Sequence, residues 1–191
     1  MDECMIINYE RKRNNLKELI LKECIKIGKF KLSSGKESNF YIDLRSLLLT
    51  PNFLNLMLDN IQIKIRYLEY DFIAGMTSGA DPIICSMMLR FIKKGIFIRK
   101  TVKTYGTSKV VEGDIYKNES KKVLIVDDVL TTGNSIEKVW EALIRENMIP
   151  VGILVIVDRQ ENNAEDVIQK FTNIPLFSLF KKDDFFLNEV S

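Results

Sequence analysis

Apolar positions near the start of the chain recur at helical spacing. Leu16, Leu19, Ile20, Cys24 and Ile27 share one helix face, and Gly28 is an end signal. The stretch FKLSSGKESNFYIDLR, Phe30 to Arg45, reads as two short extended segments about a Ser-Ser-Gly turn. Pro51 predicts the first turn of a second helix, capped by Thr50 and carried to about Ile65 by Phe53, Leu54, Leu56, Met57 and Ile61.

Beyond residue 70 the pattern repeats as strand, loop, helix. Asp71 to Gly75 is strand-like, MTSGA is a loop, and Asp81-Pro82 is an N-cap followed by a first-turn proline. GIFIRK, KKVLIVDD, PVGILVIVDR and, more weakly, FTNIPLFSLF are further strands; SIEKVWEALIREN is an amphipathic helix. KKVLIVDD does not alternate, so both its faces are buried, as in a central parallel strand. The expected fold is α/β, with a central, mostly parallel sheet flanked by helices. Residues 1–45 form an N-terminal cap, and 46–191 an α/β core.

With 191 residues, the chain is long enough for one such domain without staples. Its net charge of +2 gives no argument for a nucleic-acid partner. The apolar runs are strand-length, so no membrane span is expected. Cys4, Cys24 and Cys85 are odd in number and widely spaced, as in reduced thiols of a cytoplasmic protein. There is no histidine, which removes His-based triads, bases and metal sites together.

The chemistry concentrates in VLIVDDVLTTGNS, Val123 to Ser135. In an open parallel sheet, ligands bind beyond the carboxyl ends of the strands. Asp127 and Asp128 stand where the apolar run stops. Backbone amides at the following helix start, with hydroxyls of Thr131, Thr132 and Ser135, suit a phosphate, and Gly133 lets the backbone approach it. Carboxylates repel phosphate but suit sugar hydroxyls or a divalent metal. The alternative is that both aspartates only cap the helix. Neither GxxxxGK[ST] nor GxGxxG is present.

This stretch resembles the phosphoribosyl-pyrophosphate (PRPP) motif of the type I phosphoribosyltransferases. The resemblance implies that the Thr131, Thr132, Gly133, Asn134 and Ser135 loop holds the 5′-phosphate. It implies that Asp127 and Asp128 hold the ribose hydroxyls. AGMTSGADPI resembles that family's pyrophosphate loop and adds Gly79 and Ala80.

Pro82 to Val111 contains no acidic residue but seven lysines and arginines. The overlapping segment RKTVKTYGTSKVVEG at about 99–113 reads as a mobile cationic lid suited to departing pyrophosphate; the alternative is a solvated basic face. The segment is similar to the catalytic loop of the orotate phosphoribosyltransferases, which implies pyrophosphate contacts from Arg99, Lys100 and Lys103. In that family the loop is offered to the neighbouring subunit, which implies a homodimer. Tyr105 stands where many members have histidine.

FKLSSGKESNFYIDLR resembles the same family's substrate hood. That implies base contacts from Phe40, Tyr41 and Ser33, the last replacing a common lysine, with Thr131 nearby. In VDRQE, Arg159 at a strand end can take a carboxylate in two parallel hydrogen bonds. The resemblance assigns it the carboxylate of orotate; the alternative is a surface pair with Asp158. The implied reaction converts orotate and PRPP to orotidine 5′-monophosphate and pyrophosphate. It needs Mg²⁺ held mainly by PRPP oxygens, with Lys103 assisting the leaving group. Transfer to uracil or a purine, or a non-catalytic PRPP sensor, are the alternatives.

Overall fold

A computed structural model describes residues 3–31, 37–100, 110–115, 121–161 and 163–186. The first helix, α1, spans Glu3–Glu23. It stops before Ile27, because Ile25–Lys31 instead forms strand β1, paired antiparallel with β2, Glu37–Ile42. Long-range pairing of Ile25 with Ile42 and Ile27 with Phe40 overrides the local helical pattern. Gly28 therefore ends no helix; it lies where the ladder slips register between Ile27 and Phe30. The Ser-Ser-Gly turn lies outside the described residues.

Helix α2 covers Pro51–Lys64, with Thr50 before it. The Thr50 hydroxyl does not cap the helix. It donates to the Leu47 carbonyl at 2.8 Å, closing a short 3-10 turn over Leu47–Leu49.

The remaining strands are β3 Phe72–Met76, β4 Lys94–Ile98, β5 Val111–Glu112, β6 Lys122–Leu130, β7 Ile149–Asp158 and β8 Leu176–Lys181. They form one sheet in the order β5-β4-β3-β6-β7-β8, parallel except for β5. The helices that follow are α3 Asp81–Phe91, α4 Asn134–Arg145, α5 Ala164–Gln169 and α6 Asp183–Phe186. The N-cap of α3 is Ala80, one residue earlier than expected.

Each sheet face has its own core. Leu124 and Val126 of β6 pack with α2, α3 and the N-terminal residues Leu16, Ile20, Phe40 and Leu44. Val123 and Ile125, one position along, pack with Ile136, Val139 and Leu143 of α4. This two-sided burial is why the β6 sequence is continuously apolar. At Gly75 on β3, an added Cβ would lie 2.4 Å from the Ala80 Cβ and 2.6 Å from the Val126 carbonyl oxygen. Only glycine lets β3, β6 and the start of α3 meet this closely.

Candidate active site

Strand β6 runs past the two carboxylates instead of ending at them. Asp127 pairs with Val155, Val129 with Val157 and Leu130 with Asp158, because the ten-residue β7 extends the ladder. Both aspartates are thus held by sheet backbone. Neither caps α4, whose N-cap residue is Gly133. Asp127 Oδ1 accepts the Asp128 amide at 3.0 Å, and Asp128 Oδ1 accepts the Val129 amide at 2.8 Å.

Both side chains line a cleft of about 440 Å³ over the carboxyl edge of the sheet. Asp127 keeps some exposure there, yet burial and then the neighbouring Asp128 charge raise its carboxyl above the usual carboxylate range. Opposite stand Thr77, Ser78 and Gly79 from the loop after β3. A Cβ on Gly79 would sit 3.2 Å from Asp128 Oδ1, so that loop presses directly on the carboxylate.

Thr131, Thr132 and Ser135 line the cleft as expected, where β6 hands over to the twelve-residue helix α4. Gly133 is required for a different reason from the one its sequence suggests. Its φ is +81°, and an added Cβ would point at Val167 and Ala164 of α5, at 3.4 and 3.5 Å, not into the cleft. The left-handed backbone demands glycine; anion approach does not. The Asn134 side chain is exposed and off the cleft wall.

Three more sequence assignments change. Ala80 is fully buried and its amide donates to the Met76 carbonyl at 3.2 Å, so it has no group left for a ligand. Arg99 is ion-paired with Glu112 on β5 and does not reach the cleft; its neighbour Lys100 does. Of the hood aromatics only Tyr41 faces the cleft, because successive strand residues point to opposite faces. Phe40 lies behind, its ring 4.6 Å from the Arg159 guanidinium and 4.9 Å from the Phe186 ring. Ser33, Lys103 and Tyr105 lie outside the described residues.

Arg159 follows β7 and opens on the same cleft, although its side chain is only 2% exposed. It does not pair with Asp158. Asp158 Oδ1 accepts the Gln160 amide at 2.8 Å, and the Arg159 partner is Glu161 at 3.0 Å. Sequence reasoning also missed Asp43 and Arg45, which line the cleft beside Tyr41. Arg45 grips both Asp43 oxygens, at 2.8 and 2.9 Å, and holds that carboxyl below its ordinary range. The signal was the D-x-R tail of the hood segment.

Comparison with known proteins agrees with this geometry. The family profile of the phosphoribosyl transferase domain matches residues 45–179. The orotate phosphoribosyltransferase of Pyrococcus horikoshii is 42% identical over 88% of this chain and 94% of its own length. The chain belongs to the orotate phosphoribosyltransferase family. The Methanosphaera stadtmanae orotate phosphoribosyltransferase is 39% identical over 92% of this chain and 98% of its own. Among solved structures, the Mycobacterium tuberculosis orotate phosphoribosyltransferase in complex with PRPP is 26% identical, with TM-score 0.72, covering 91% of this chain and 98% of that one. As an orotate phosphoribosyltransferase the chain is a pentosyltransferase.

Proposed function

We propose that this cleft joins orotate to PRPP, giving orotidine 5′-monophosphate and pyrophosphate, in the making of pyrimidine nucleotides. One observation carries the reading: a buried arginine opens on the same cleft as the strand-borne carboxylate pair and the hydroxyl-bearing loop. Thr131, Thr132 and Ser135, with the first amides of α4, bind the 5′-phosphate. Asp127 and Asp128 accept hydrogen bonds from the ribose hydroxyls. They also face the positive charge that grows on the sugar as its bond to pyrophosphate stretches. Arg159 holds the orotate carboxylate and Tyr41 covers the ring. Lys100 is aimed at the pyrophosphate. We assign Lys103 to the same leaving group, where a cation stabilises the charge that develops.

The cleft fits magnesium held mainly by substrate oxygens. It offers the two adjacent β6 carboxylates as oxygen donors beside the hydroxyl-bearing loop. When bound, the ion offsets charge on the departing pyrophosphate.

Mixing the protein with orotate, PRPP and Mg²⁺ is expected to lower absorbance in the orotate band, and uracil in place of orotate to give no product. Product from uracil alone would reassign the substrate.

A homodimer sharing the basic loop between subunits belongs to the same reading. Cys85 and Leu89, four apart, are exposed on one face of α3, and the C-cap residue Ile92 follows them, with Leu89 81% and Ile92 85% exposed. A second copy on this face would cover it. Sedimentation should return twice the chain mass, and Leu89→Glu should return one. A monomeric parent protein would refute the assignment. We place the enzyme in the cytoplasm, in keeping with the free thiols of Cys24 and Cys85.

A further inference from the structure

The Arg159 guanidinium is already engaged by a carboxylate of its own chain. Its Nη2 donates to Glu161 Oε1 at 3.0 Å and to the Phe40 carbonyl at 3.4 Å. Nη2 carries two hydrogens, and these two acceptors use both. A carboxylate that binds an arginine through two parallel hydrogen bonds takes either Nε with Nη2 or Nη1 with Nη2. The third side of the guanidinium is closed by its own methylene chain. Either fork therefore needs one Nη2 hydrogen, and one present acceptor has to leave.

The two acceptors are not equally free to go. The Phe40 carbonyl is backbone of β2, fixed by the ladder that pairs Phe40 with Ile27. Glu161 is a side chain on the loop after β7, 19% exposed. Its second oxygen, Oε2, is buried and has no hydrogen-bond partner among the described residues. Turning Glu161 outward breaks one hydrogen bond and hydrates an oxygen that now has none.

We propose that Glu161 is a specificity-determining residue: an internal carboxylate that occupies the Arg159 fork until a substrate carboxylate displaces it. The proposal rests on the reading that Arg159 receives the orotate carboxylate. The exchange keeps the buried guanidinium paired with one anion throughout, so no step exposes an unpaired buried charge. A base without a carboxylate offers nothing in return for Glu161. It meets an arginine already neutralised.

The test uses the full chain and its Glu161→Gln and Glu161→Asp variants. Orotate binding is measured by calorimetry, and the KM values for orotate and PRPP by turnover. In Glu161→Gln, orotate should bind about 10-fold more tightly, since a neutral amide competes less well for the fork. Its KM for orotate should fall while that for PRPP stays put. Glu161→Asp keeps the charge but shortens the reach, and should move the same way by less. The unliganded Glu161→Gln protein should melt lower than the parent, with orotate raising its Tm further than it raises the parent's. Orotate bound by the parent but no more tightly by either variant would overturn the inference alone. Orotate bound by none of the three would overturn the reading of the site and this inference with it.

Discussion

Arg159→Ala is expected to lower kcat/KM for orotate by about 30- to 5,000-fold, the range for truncating one partner of a buried charge pair at about 2–5 kcal/mol. The effect should be this large because the side chain is 2% exposed, so water cannot replace the lost guanidinium. The loss also strands Glu161, whose partner at 3.0 Å disappears. Its charge then repels the incoming carboxylate. PRPP should bind the variant as it binds the parent, since in this reading Arg159 holds the orotate carboxylate and makes no contact with PRPP. Arg159→Lys separates charge from geometry. Lysine restores the positive charge without the planar fork, so it should recover part of the activity and not all. Steady-state rates at varied orotate, with PRPP binding by calorimetry, check both variants. Equal losses of orotate and PRPP affinity would mean that Arg159 supports the cleft and does not read a carboxylate.

Asp127→Asn is expected to abolish most turnover and yet stabilise the unliganded fold. Removing one electrostatic contact to a charged transition state costs about 10²- to 10³-fold in kcat. Stability moves oppositely because burial and Asp128 raise the Asp127 carboxyl from an ordinary 3.8 to about 8. In that window the folded chain holds a proton that the unfolded chain has released. Unfolding therefore releases a proton, and stability falls as pH rises from the unfolded value to the folded one. Asparagine cannot ionise and escapes the penalty. The variant should melt above the parent at pH 8–9, and the two curves should converge below about pH 4. Thermal melts across this range, without ligand, are the check. A variant that melts lower than the parent at high pH would show that Asp127 is satisfied as an anion in the empty cleft.

Much of the fold was legible because its period survives in the chain. The β6 and β7 segments are apolar without alternation, and α4 carries Ile136, Val139 and Leu143 on one face. Local pattern failed where distant partners decide. Ile27 completes a helical stripe in sequence, but pairing with β2 makes it strand. Helix α5 has six residues and α6 four, too short for a periodic signal.

The site divides along the same line. The sequence alone determined which residue types are present and near what: two adjacent carboxylates, a hydroxyl-rich loop with one glycine, a basic segment, and an arginine after the last long strand. These are local facts, and loops at strand ends preserve them. Only the tertiary structure decided which of them face a ligand. Strand alternation sends Tyr41 to the cleft and Phe40 behind Arg159. An antiparallel partner strand takes Arg99 out through Glu112 and leaves Lys100. A close approach to Gly75 buries Ala80. The Arg159 partner, Glu161, is two residues away rather than one, because the backbone turn gives the Asp158 carboxylate to the Gln160 amide. Residue identity sets what a group can bind. Burial and partners, which come from residues far apart in the chain, set whether it is free to do so.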